Sequence, residues 1–116
     1  MEIKYTELEN GVRVITLIGT LDMQGTFSVE IQFARYCEGE NVRVLVDLSS
    51  VAYISSIGIP MLINTARSVT SQGGRMGLVG PIYDVNRVLE LTGVSLIIPV
   101  FHDFDTAVVE ISKEDA

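Results

Sequence analysis

Few side chains in this 116-residue chain could carry out acid–base or covalent chemistry. His102 is the only histidine and Cys37 the only cysteine. His102 stands beside Asp103 after a predicted strand, so it could act as a general base, although a solvated or capping histidine fits the same position. Cys37 falls on a distant predicted helix, and neither CxxC nor HxxxH spacing occurs. We therefore expect no enzyme activity, no metal site and no cofactor.

Serine hydroxyls are concentrated between residues 47 and 60, where a predicted buried strand ends in Asp47. An apolar loop follows, and Ser55, Ser56 and Gly58 then open a predicted helix. Backbone N–H groups at a helix start lack intrahelical partners and carry partial positive charge. A serine at such a position can cap the helix or hold a phosphate, and the residues alone leave both roles open.

The spacing of apolar residues predicts strands alternating with helices. Strands are expected at residues 3–8, 12–18, 42–48, 75–79 and 96–101, with a hairpin turn at Asn10-Gly11 and residues 49–56 as a loop. Helices are expected at residues 24–37, from about 57 to 71, at 81–92, and from 103 or 105 onward. This order predicts one α/β domain over residues 1–116, in which about four to five strands plus a short N-terminal strand form a mixed sheet packed with about four helices.

Two details of that arrangement follow from particular residues. The first helix is assigned an apolar face made of Phe27, Ile31 and Ala34, and either Asp22 or Thr26 is expected to cap it. The last strand contains Pro99, which cannot donate a hydrogen bond, so we expect this strand at an edge of the sheet.

The charge distribution excludes several partners. The formal net charge is −7, and the Lys and Arg residues form no cluster, which argues against binding to nucleic acid or anionic lipid. The acidity belongs to the two ends, because residues 40–80 carry a net charge of +1. Residues 48–66 have no formal charge, but their periodicity changes midway, so we interpret them as strand, loop and helix and expect no membrane insertion. The N-terminus lacks a signal-peptide pattern, and a cytoplasmic location is expected.

The run from Asp47 to Gly58 resembles the signature of the STAS domain, named for sulfate transporters and anti-sigma factor antagonists. In that family a strand ending in Asp-Leu-Ser leads through an apolar loop to a helix start that contains serine and glycine. Residues 19–22 resemble the family's Gly-x-Leu-Asp turn, and residues 88–93 and 97–101 resemble its late helix and strand. The resemblance implies a single STAS domain over nearly the whole chain.

STAS domains that occur as stand-alone proteins act as anti-anti-sigma factors. The length of this chain is similar to that of those stand-alone members. The resemblance implies a non-enzymatic regulator that binds an ATP-binding anti-sigma factor, which is also a serine kinase, with a serine phosphatase as a second partner. A phosphate at the helix start adds about −1.5 to −2 charge and ends the association. The same interpretation is compatible with a homodimer. The alternative functions are an accessory subunit of a lipid or anion transporter and a sensor of nucleotides or other small ligands.

The sequence departs from the family where phosphorylation occurs. Phosphorylated members commonly read Asp-Ser-Ser-Gly or Asp-Ser-Thr-Gly, whereas this chain reads Ser55-Ser56-Ile57-Gly58, with isoleucine at the usual acceptor position. Pro60 lacks an N–H, so the regular helix is expected to begin at or just after Ile57. The serines then lie in the preceding loop, with Ser56, and after it Ser55, as the candidate acceptors. We favour a binder that is not phosphorylated at this site over one in which Ser56 has become the acceptor.

By the same resemblance, the partner-binding surface is expected to consist of Asp22, Ser55, Ser56, Ile57, Gly58, Ile59 and Met61. The side chains of Ile57, Ile59 and Met61 are expected to make this surface more apolar. Asp47 is assigned a structural role, since an aspartate there can accept backbone N–H bonds from the following loop. We expect Asp47→Ala to destabilise the fold and Asp22→Ala mainly to weaken partner binding.

Overall fold

A five-stranded mixed sheet forms the centre of the molecule in a computed structural model that describes residues 1–113. The strands lie side by side in chain order, and they are β1 (Glu2–Glu7), β2 (Arg13–Leu21), β3 (Arg43–Ile54), β4 (Arg75–Val79) and β5 (Val100–Phe101). β1 pairs with β2 antiparallel, and every later pair is parallel. The predicted α/β class and mixed sheet are confirmed.

Helices make the crossovers that parallel strands require. The crossover helices are α1 (Met23–Tyr36), α2 (Gly58–Ser71) and α3 (Tyr83–Leu91), the last followed by a short 3-10 helix at Val94–Leu96. A fourth helix, α4 (Phe104–Ser112), follows β5. The buried residues of α1, α2 and α3 share one core cluster, whereas those of α4 belong to a second cluster. Since the two clusters lie on opposite faces of the sheet, α4 is the one helix among residues 1–113 that covers the second face.

Strand β3 is buried on both faces, as its run of apolar residues predicts. Val44, Val46 and Leu48 belong to the larger cluster, and Leu45 between them packs with Ile111 in the smaller one. A strand at the centre of a parallel sheet reads as continuously hydrophobic because helices cover it on both sides.

The assignment of residues 49–56 to a loop is wrong for most of that segment. β3 continues to Ile54 because it keeps pairing with the second half of β2, through two register shifts, until Leu21 lies beside Ile54. Val51 and Ile54 point inward and are buried. The loop is thereby reduced to residues 55–57, which follow directly on a strand.

The expected apolar face of α1 is also wrong. Phe27 and Ile31 are 59% and 68% exposed, whereas Val29 and Phe33 are buried. The first turn decides this orientation, because Gly25 lies against the Thr20 carbonyl so closely that a Cβ atom could not fit. Residues 29 and 33 follow Gly25 at helical spacing and therefore face the sheet.

The last strand is shorter than predicted. Residues 94–96 form the 3-10 helix, and only Val100 and Phe101 pair with β4. Its edge position is confirmed, and Pro99 contributes a carbonyl that accepts the Leu78 N–H at 2.9 Å. The uncharged residues 48–66 divide into the end of β3, the short loop and the start of α2. Among residues 1–113, no helix has the length and apolar character needed to cross a bilayer.

Gly25→Ala is expected to destabilise the protein by about 2 kcal/mol or more, because the added methyl group would force α1 away from the end of β2. Chemical denaturation measures this change, and Gln24→Ala, an exposed neighbour in the same turn, should change the free energy of unfolding little. An equally stable Gly25→Ala variant would contradict the close packing of this turn.

Asp47→Ala is expected to lower the free energy of unfolding by about 1–2 kcal/mol. One carboxylate oxygen of the half-buried Asp47 accepts both the Ser49 N–H at 2.9 Å and the Ser49 hydroxyl at 2.7 Å. Asp47→Asn is the matched control, since its amide oxygen can accept the same two bonds. A melting temperature that falls equally in both variants would show that the charge, and not the hydrogen bonds, stabilises the strand.

Candidate functional site

The serine loop, residues 55–57, is attached to the end of β2 by one carbonyl group. The Leu21 carbonyl accepts the Ser55 N–H at 3.0 Å and the Ser55 hydroxyl at 2.9 Å. The Ser55 Oγ also accepts the Ile57 N–H at 3.3 Å, and the Ser55 carbonyl accepts the Gly58 N–H at 3.0 Å. Both the backbone and the hydroxyl of Ser55 are therefore engaged in holding the loop.

Helix α2 begins directly after this loop without a side-chain cap. Ile57 occupies the cap position with φ −76° and ψ −31°, and its own side chain cannot accept a hydrogen bond from the first turn. A Cβ atom on Gly58 would lie only 3.1 Å from the Leu21 Cβ, so glycine permits the helix to start this close to β2. The helix start predicted from Pro60 is confirmed, and both serines precede it.

The expected partner-binding residues differ in exposure. Ser56 is exposed, and its hydroxyl makes no hydrogen bond within residues 1–113. Ile57 is 40% exposed. The expectation that Ile59 and Met61 add apolar surface is wrong for most of their side chains, since each residue is only 8% exposed. The first turn of α2 directs both side chains toward the core. Gly58 is also buried.

Asp22 lies beside the serine loop, one residue after Leu21. It caps α1, because its Oδ1 accepts the Gly25 N–H at 2.7 Å. The other candidate cap, Thr26, is buried instead, and its hydroxyl has no partner within the described part of the chain. The first turns of α1 and α2 thus meet at the carboxyl ends of β2 and β3.

The surface around the serine loop carries little charge. Within residues 20–24 and 55–61, Asp22 provides the only formal charge, and α2 contains one charged residue, Arg67. A phosphate added here would dominate the local electric field, since uncompensated charges at a surface interact over a Debye length of roughly 8 Å. The unmodified surface suits contact with a neutral or apolar partner.

The residues considered for catalysis lie far apart. Cys37 follows α1 at the opposite edge of the sheet from His102, which is exposed after β5. Burial raises the pKa of the Cys37 thiol to about 12, which disfavours the thiolate. His102 stands next to Asp103, which caps α4 and whose pKa is lowered by a hydrogen bond from the Thr106 N–H. Residues 1–113 bring together no His, Cys, Asp or Glu cluster of the kind that binds metal.

One part of the surface was not anticipated from the sequence. The α1 stripe, as we name the exposed apolar residues on the outer face of α1, consists of Met23, Phe27, Ile31 and Ala34. Its signal is present in the sequence, because these residues recur at helical spacing in a register two residues away from Gly25, Val29 and Phe33. Phe27, Ile31 and Ala34 are the residues that the sequence pattern places, wrongly, on the buried side of the helix.

A groove separates this face of α1 from α2. It has a volume of about 400 Å³, and Ile31 and Ala34 line one side of it. Met61, Asn64 and Thr65 of α2 line the other side. The groove links the stripe to the helix that follows the serine loop.

Comparison with known proteins identifies the domain. A sequence model of the STAS domain matches residues 5–107. A Thermotoga maritima protein named as a candidate anti-sigma factor antagonist is 31% identical over 72 residues, which are 62% of this chain and 64% of that relative. The anti-sigma F factor antagonist of Paenibacillus polymyxa is 24% identical over 110 residues, covering 90% and 91% of the two chains. The match spans less than two thirds of the length of the two Thermotoga relatives.

A solved structure shows the same fold. The anti-sigma factor antagonist SpoIIAA, in its unphosphorylated form, superimposes with a TM-score of 0.77 at 16% sequence identity, covering 95% of this chain and 96% of SpoIIAA. The match to the domain model over most of the chain, together with this fold, shows that the chain belongs to the STAS domain family.

Proposed function

We propose that this STAS domain is an anti-sigma factor antagonist that binds an ATP-binding anti-sigma factor of the serine-kinase type through the surface around the serine loop. The observation that carries the proposal is the start of α2, where Ile57 is exposed at the cap position of the helix, directly after the two serines. The names of the relatives support the class of partner.

The physical basis of binding is the neutral character of this surface. Covering an exposed isoleucine with a partner lowers the free energy of the complex, because apolar surface is removed from water. Burying the uncharged serine loop in the same contact costs little desolvation energy compared with burying a charge. Asp22, one residue from the Leu21 carbonyl, supplies a single charge at the margin. A partner that fits this surface would be repelled by a phosphate at the same position.

We infer further that the protein binds without being phosphorylated at the family's usual position. Ile57 has no hydroxyl, and the Ser55 hydroxyl is engaged with the Leu21 carbonyl and the Ile57 N–H. Ser56 is the one hydroxyl of the loop that is exposed and without a hydrogen bond in the described structure. Phosphorylation of Ser56 would therefore contradict this part of the proposal.

Incubation with each ATP-binding anti-sigma factor of the source organism and Mg-ATP tests the proposal. We expect a stable complex with one of them and no phosphate on the antagonist by intact-mass spectrometry, because position 57 lacks an acceptor. Ile57→Ser restores a hydroxyl at that position and should gain one phosphate and lose the complex, which serves as the positive control.

Two results would contradict this expectation. Phosphate on the wild type that disappears in Ser56→Ala, but persists in the exposed control Ser50→Ala, would make Ser56 the acceptor. Absence of a complex with every anti-sigma factor would overturn the proposed function itself. Ser55→Ala is unsuitable as a control, since it removes the two hydrogen bonds by which the Ser55 hydroxyl helps to hold the loop.

Asp22→Ala and Asp22→Asn separate capping from binding. Alanine removes the α1 cap and is expected to lower the free energy of unfolding by about 1 kcal/mol, whereas asparagine keeps the cap. If the Asp22 charge contacts the partner, both variants should bind more weakly in calorimetric titrations. Unchanged binding by Asp22→Asn would restrict Asp22 to its capping role.

A further inference from the structure

We propose that the α1 stripe is the main apolar part of the docking surface, and that it receives a segment of the anti-sigma factor whose apolar side chains are flanked by Lys or Arg. This inference rests on the proposed function, because it takes its partner from there. It goes further by assigning the contact to α1, outside the serine loop, and by stating the chemistry of the opposing surface.

Helix α1 exposes large apolar side chains that the fold does not use. Met23 is 55% exposed, and Phe27 and Ile31 are exposed to a similar or greater extent. Their spacing of four residues puts them in one line along the helix. The core-facing side of α1 is complete without them, since Val29 and Phe33 fill it. Contiguous exposed apolar surface of this kind marks interaction sites in soluble proteins.

The α1 stripe is continuous with the serine loop. α1 and α2 both start at the edge of the sheet where the Leu21 carbonyl binds Ser55, so Met23 and Ile57 lie at the same end of the two helices. From there the stripe runs along α1 until Ile31 forms one wall of the groove between the helices. A partner seated on the serine loop can therefore extend along α1 over apolar side chains until it reaches the groove.

The margin of the α1 stripe carries more acidic than basic residues. Glu30 and Glu38 line the groove together with a single basic residue, Arg35. Neither glutamate side chain forms an ion pair within residues 1–113. This acidic margin attracts a basic partner segment. It disfavours a second copy of the chain, which would bring the same two glutamates, and it disfavours anionic lipid.

The experiment measures the dissociation constant for the anti-sigma factor that binds the wild type. The double variant Phe27→Ser/Ile31→Ser should raise the dissociation constant at least about tenfold, because buried aromatic and aliphatic side chains dominate interface energies. The matched control Leu91→Ser/Leu96→Ser changes two side chains that are 76% and 91% exposed around the end of α3, outside the groove, and should change the constant less than about twofold. Unchanged melting temperatures in both double variants show that the fold is intact.

The charge is tested in the same titrations. Glu30→Lys should weaken binding several-fold and reduce its dependence on salt, whereas Glu9→Lys, in the exposed turn after β1, should do neither. Sedimentation velocity of the wild type and of Phe27→Ser/Ile31→Ser shows whether the stripe mediates self-association.

Each result has a distinct meaning. Weaker binding by the stripe variant alone supports the inference. Binding equal to that of the wild type overturns the inference and leaves the proposed function intact. A wild-type dimer that the stripe variant dissociates also overturns it, because the occupant is then a second copy. If the wild type binds no anti-sigma factor, the proposed function fails and the inference fails with it.

Discussion

The Leu21 carbonyl, by accepting two hydrogen bonds from Ser55, holds together the part of the molecule on which its surface depends. These bonds join the ends of two parallel strands at the point where each gives way to a helix. The helices can start so close to the strands because glycine occupies both first turns, Gly25 against the Thr20 carbonyl and Gly58 against Leu21. A side chain at either position would separate the helices and move the serine loop away from Asp22.

This arrangement explains why one surface combines elements that are distant in the sequence. Ser55 and Leu21 are separated by 34 positions, and the helices that follow them run side by side on the same face of the sheet. The sheet contributes a large part of the buried core, and the helices keep part of their surface exposed for contact with a partner. Helix α1 has apolar residues on two sides, one that stabilises the fold and one, the α1 stripe, that faces solvent.

The order of strands and helices, the central position of β3 and the edge position of β5 follow from local patterns in the sequence. The extension of β3 to Ile54 does not, because exposed Ser49 and Ser50 interrupt the apolar run and pairing with β2 is what keeps the segment extended. The orientation of α1 depends equally on a distant contact, that of Gly25 with Thr20. For the site, Pro60 correctly indicates where α2 begins, but the hydrogen bonds of Ser55 and the burial of Met61 appear only once the chain is folded.

The isoleucine at position 57 has a consequence for how a signal would be stored. A hydroxyl at a helix start lets each molecule carry a covalent record of past kinase activity, which persists until a phosphatase removes it. With isoleucine there, the state of the system on the proposed function is set by mass action alone, through the number of antagonist and partner molecules and their affinity. On this proposal the protein would act as a titrant with a concentration threshold, and the response would end when synthesis, degradation or a competing ligand changes the ratio.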